Sequence, residues 1–125
     1  MLELQPQNIS ALNNLAYALA THRKDAQQAL PLAEKAYTLS GRNPNIADTL
    51  AWIVHLTGND QRAKGLLAEA IQAAPQNPEM RLHAAIVYAA LGENDSARQE
   101  LTRALELDPK FASREEVLQL RNTLR

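Results

Sequence analysis

Four residues able to do chemistry stand at i, i+3, i+7 and i+10 of one short stretch: Asn45, Asp48, Trp52 and His55. On a helix, that spacing places them along one side. An amide, a carboxylate, an indole and an imidazole can hydrogen-bond and stack, and a carboxylate beside an imidazole raises a metal reading. The spacing argues against it. Asp48 and His55 are two helical turns apart, and neither His22 nor His83 stands at ligand spacing to them. A histidine in such a setting is more commonly exposed or hydrogen-bonded than metal-bound. The chain also lacks a nucleophile elbow, a glycine-rich phosphate loop and a paired-acid signature. It is therefore expected not to be an enzyme, and to use no cofactor and no metal.

Composition narrows the partner. Thirteen Lys and Arg against fourteen Asp and Glu leave a net charge of −1, which gives nucleic acid no broad electrostatic attraction. With no cysteine, disulfides and thiolate metal sites are excluded. One Trp, three Tyr and one Phe among abundant Ala and Leu, with β-branched residues scattered, point to an all-helical chain. No stretch is long and apolar enough to span a membrane, and Met1-Leu2-Glu3-Leu4 has neither the basic region nor the apolar run of a signal peptide. Cytoplasm and periplasm both stay open. At 125 residues, a single elongated domain is the default.

The elements that position the stripe follow from a repeat. A shift of 34 residues (43 to 77) lays Asn43-Pro44 on Asn77-Pro78, Ala51 on Ala85, Gly58 on Gly92, Ala63 on Ala97, Leu67 on Leu101, Ala70 on Ala104 and Pro75 on Pro109. A fixed period of this size, with small residues, a glycine and a proline in phase, marks stacked supersecondary units. Each unit reads as two helices and a turn. Asn8, Asn43 and Asn77 stand as N-caps, with Pro44 and Pro78 at the first helical position. Helices are expected near residues 9–21, 44–57, 60–74, 78–91 and 95–107, with one more ending near residue 39. Gly58 and Gly92 stop the first helices of their units.

Some positions depart from the plan. The turn at His22-Arg23-Lys24-Asp25 is longer by one residue than its counterparts, and Pro31 should bend or delay the helix that follows. Gly65 inside a helix suggests close approach of a neighbouring backbone. Asn94 is read as the cap of the helix at residues 95–107. Ser113 with Glu116 reads as a capping box, and Val117, Leu118, Leu120 and Leu124 give the closing helix one apolar side. Ala51, Ala63, Ala70, Ala85, Ala97 and Ala104 should sit at helix crossings. Leu50, Ile53, Val54, Leu66, Leu67, Ile71, Ile86, Val87, Tyr88, Leu101 and Leu105 should fill the core.

This phase of small residues, aromatic, glycine, alanines and proline resembles the tetratricopeptide repeat, and the resemblance runs from Leu2 to the closing helix. Two positions of the repeat pattern are not kept: Ala47 and Arg81 stand in two units where a tryptophan is usual, and Gly41 replaces the pre-turn proline in the first. The resemblance implies an all-α, right-handed solenoid of antiparallel helix hairpins with a C-terminal capping helix. Residues 1–7 would end a preceding repeat, 8–42, 43–76 and 77–110 would be three repeats, and 111–125 the cap. Leu2-Glu3-Leu4-Gln5-Pro6 reads like Leu105-Glu106-Leu107-Asp108-Pro109, so further repeats are expected upstream. Bacterial multi-repeat scaffolds of assembly, export and exopolysaccharide systems look similar at this end of their arrays.

The resemblance also implies a concave groove lined by the first helix of each unit. By phase it would hold Ser10, Asn13 and Tyr17, then Asn45, Asp48, Trp52 and His55, then Glu79, Leu82, Ile86 and Ala89. No Lys or Arg falls on that face, so clamping of a peptide's terminal carboxylate is not expected. A helix or extended peptide of a partner protein, with apolar anchors, fits better. The alternative is self-association through the groove or the N-terminal edge. Trp52 and Tyr17 keep two readings, interface anchor or filler between successive helices. Arg62, Lys64, Arg98, Glu100 and Arg103 fall on the convex side and read as solvated charges.

Overall fold

The computed structural model describes residues 9–21, 25–41 and 43–124. The cap at Asn8, the repeat end at Leu2 to Pro6 and the turn residues His22, Arg23 and Lys24 lie outside them. Among the described residues there are seven α-helices and one 3-10 turn: α1 (Ile9–Thr21), α2 (Ala26–Ser40), α3 (Pro44–Leu56), α4 (Asp60–Ala73), α5 (Pro78–Ala90), α6 (Asn94–Leu107), the 3-10 turn Pro109–Ser113 and α7 (Glu115–Thr123). Helices pair as α1 with α2, α3 with α4 and α5 with α6, and the pairs stack through α2 on α3 and α4 on α5. The first helices also touch in series, α1 to α3 to α5, and α7 continues that row.

Local chemistry explains the boundaries. Asn43 Oδ1 accepts from the N–H of Asn45 at 2.9 Å, and Asn77 Oδ1 from that of Met80 at 3.1 Å, with proline next in each case. Gly58 and Gly92 adopt φ of 96° and 79°, the left-handed region that lets the chain reverse into the second helix. Between α1 and α2 lie residues 22–25, one more than 57–59 or 91–93, as the longer first turn requires. Pro31 does not delay α2, which begins at Ala26 and runs through it.

Two expected caps are absent. Asn94 is the first residue of α6, and Glu93 occupies the cap position without a side-chain cap bond. The phase explains this, since Glu93 lies 34 residues after Asn59, the cap of α4. Its carboxylate accepts instead from Lys64 Nζ at 2.9 and 3.0 Å. Ser113 ends the 3-10 turn and donates to the Lys110 carbonyl at 3.1 Å, so the capping box with Glu116 does not form and α7 starts at Glu115.

All six crossing alanines are fully buried, together with Leu50, Ile53, Val54, Leu67 and Val87. One apolar cluster spans α1 to α5. A second joins α5 and α6 to Phe111 and to Val117, Leu120 and Leu124. Tyr88 packs against both, so its role is packing. Leu118 is 47% exposed and does not belong to the buried side of α7.

The convex charges are not simply solvated. Arg62 forks onto both carboxylate oxygens of Glu34 at 2.6 and 2.7 Å, linking α4 to α2. Arg81 Nη1 donates to Glu100 at 2.9 Å, and Arg98 donates to the Leu124 carbonyl at 2.7 and 3.0 Å, satisfying the end of α7.

Gly65 faces open space: a Cβ built there meets nothing within 4 Å, so no neighbouring backbone explains it. Gly65→Ala should therefore raise stability by about 1 kcal/mol, through helix propensity and a less flexible unfolded chain. Urea unfolding followed by circular dichroism reads the shift. A loss of stability would mean that glycine is required there.

Candidate functional site

The row α1, α3, α5 and α7 carries the expected groove residues. Tyr17 is 44% exposed. Asn45 is exposed, and Asp48, Trp52, His55, Glu79 and Ile86 are half-buried. Asn13 is half-buried too, with an Oδ1 that finds no hydrogen-bond partner among the described residues. Leu82 is the correction. It is 0% exposed, packed with Phe111, Val117 and Leu120, because α7 and the 3-10 turn lie over that part of α5. It belongs to the core and not to a groove surface.

At the centre sits His83, which the single-helix stripe did not include. Its ring stacks on Trp52 with centroids 4.5 Å apart and planes at 22°. Its Nδ1 lies 2.7 Å from Asp48 Oδ1, and its Nε2 lies 3.5 Å from Glu79 Oε2. Burial of the ring works against its charged form. The hydrogen bond to Asp48 and the carboxylates of Asp48, Glu79 and Glu116 outweigh that, holding the His83 pKa above the ordinary histidine value. Glu79 in turn accepts from Arg114 Nη1 at 3.0 and 3.2 Å, and the Arg114 guanidinium lies 3.8 Å over the Phe111 ring. A chain of paired acidic and basic side chains thus runs from α3 through α5 to the start of α7.

Trp52 borders two clefts, each about 420 Å3. The first lies between α3, α5 and α7, walled by Trp52, His55, Ile86, Glu116, Gln119 and Leu120. The second lies towards α1 and α2, walled by Ala20, Thr21, Ala26, Trp52 and Leu56. His55, whose ring centroid is 5.1 Å from that of Trp52, is paired through Nδ1 with Asp60. The two readings of Trp52 are therefore not exclusive, because the indole fills space against His83 and also forms cleft wall. The Tyr17 hydroxyl has a raised pKa, first from burial and then from the carboxylates of Glu79, Asp48 and Glu116.

Sequence reasoning missed His83, Arg114, Glu116 and Gln119 at this site. A signal for His83 existed, since it follows Asp48 by one repeat and one residue and follows Glu79 by four on the same helix. Among the described residues, no group of three or more His, Asp or Glu is placed to hold a metal ion. No helix among them is long and apolar enough to cross a membrane.

A family model described as Tetratricopeptide repeat matches residues 57–122, more than half of the chain. The chain belongs to the tetratricopeptide repeat (TPR) family. Its all-α row of hairpins is a TPR solenoid closed by α7. The TPR repeat-containing protein PA4667 of Pseudomonas aeruginosa is 34% identical over 73 residues, 58% of this chain. The chain spans only 12% of that relative's length. Among solved structures, the Arabidopsis OM64 TPR domain superposes with a TM-score of 0.80 at 19% identity, covering 94% of this chain and 93% of that one. The first TPR of Spaghetti (RPAP3), bound to the HSP90 peptide SRMEEVD, gives 0.79 at 17% identity, covering 98% of this chain and 95% of that one. At these identities the structural likeness concerns the fold.

Proposed function

We propose that this TPR chain is a non-catalytic interaction module that holds a peptide or helix of a partner protein along the row α1, α3, α5 and α7. Its units on this reading are residues 8–42, 43–76 and 77–110, with 111–125 as cap. The observation that carries it is Trp52, an indole shared by two open clefts on a face of mixed apolar and hydrogen-bonding groups. Concave, mainly apolar clefts with a few polar groups suit ligand capture, and tryptophan is enriched among residues that dominate binding energy. That the RPAP3 neighbour is bound to a peptide supports a peptide as the occupant.

The chain has one tryptophan, so its fluorescence reports directly on the cleft. A peptide selected against the protein should shift that emission saturably. Trp52→Ala should weaken binding by about 2 kcal/mol, roughly 30-fold, when read by anisotropy of the labelled peptide. Tyr17→Ala, on an exposed side chain, should weaken it less and leave the helical spectrum unchanged. Binding that ignores both substitutions would remove the groove reading. Sedimentation at rising concentration tests the competing occupant, a second copy of the chain.

A further inference from the structure

We propose that the segment this groove takes is basic and apolar: one large apolar side chain with lysine or arginine close by. The inference rests on the groove reading above. The lining of the first cleft is mainly apolar, through Trp52, Ile86, Ala89 and Leu120, and it contains a carboxylate, Glu116, but no lysine or arginine. Glu116 is 48% exposed, and its nearest ion-pair contact, to Arg114, is long at 3.9 Å. Gln119, also in the lining, is bonded to a second carboxylate, Glu115, at 3.2 Å.

The basic side chains of the same face are already engaged. His83 lies stacked against Trp52 and bonded to Asp48, and Arg114 is held by both oxygens of Glu79 against the Phe111 ring. His55, in the same lining, is likewise paired, with Asp60, so Asp48, Asp60, Glu79 and Glu116 outnumber the basic groups His55, His83 and Arg114, and the Tyr17 hydroxyl across the row senses Asp48, Glu79 and Glu116. A partner's ammonium or guanidinium reaching Glu116 finds an accessible anion, while its apolar neighbour covers Trp52 and Leu120. An acidic peptide, such as the SRMEEVD bound to the RPAP3 neighbour, would bring like charge to Glu116. Charge complementarity of this kind sets which partner is accepted more than how tightly it is held.

The test is selection of random dodecapeptides displayed on phage against the whole chain, with Trp52→Ala protein used to discard peptides that bind elsewhere. Enriched sequences should combine an aromatic or aliphatic residue with a net positive charge. The synthetic form of the leading peptide should bind Glu116→Gln about three to five times more weakly, bind Glu106→Gln as it binds the natural chain, and weaken as salt rises. Enrichment of acidic or uncharged peptides that still need Trp52 would overturn the charge assignment and leave the groove standing. Failure to recover any Trp52-dependent peptide would overturn both.

Discussion

Replacing Leu82 with alanine is expected to lower the unfolding free energy by about 2–5 kcal/mol, the range for removing a buried leucine side chain and leaving a cavity. Leu82 is fully buried where α5 meets the 3-10 turn and α7, in the cluster with Phe111, Val117 and Leu120. Those elements reach the rest of the molecule mainly through α5 and α6. In a stack whose units touch only their neighbours, the damage should stay local before it becomes global. Hydrogen exchange should therefore quicken first in α7 and the 3-10 turn, with α3 and α4 protected longer, while urea unfolding gives the total loss. Leu118→Ala, on the exposed side of α7, should change stability by no more than about 0.5 kcal/mol. Equal losses from the two substitutions would mean that α7 does not cover α5 as described.

The repeat phase made the helices and their crossings legible, because alanine at 51, 63, 70, 85, 97 and 104 answers to backbone approach, which the period itself imposes. It was less informative where one helix's face depends on what covers it. Leu82 occupies the same phase as Asp48, yet Asp48 meets a neighbouring helix's histidine while Leu82 meets the capping elements. The phase is common to both units, whereas the neighbour is not. Asn94 and Ser113 show the same limit on a smaller scale. A cap residue is recognised by type, but the cap position before α6 falls to Glu93, which Lys64 engages, and Ser113 bonds the Lys110 carbonyl. Reading each first helix separately also hid His83, whose partners come from α3 and from its own previous turn.

That histidine gives the second large expectation. Its pKa is raised in the folded chain, so between the unfolded and folded values the native state holds the extra proton. The pair with Asp48 therefore contributes its full stability below about pH 6.5, the usual histidine range, and loses it as pH rises through the folded value. Asp48→Asn keeps the ring buried, removes its counter-charge, and should cost about 3 kcal/mol at pH near 6. The cost should shrink as the pH rises and the natural chain loses the same proton. Subtracting the stability of His83→Gln from that of the natural chain across pH cancels the other titrating groups that the two proteins share. The difference should fall as pH increases, and stacking on Trp52 lets the same transition be followed by its fluorescence. A difference that grows with pH would mean that the ring is neutral in the fold, with Asp48 accepting from an uncharged imidazole. In that case, burial would outweigh the three carboxylates that surround it.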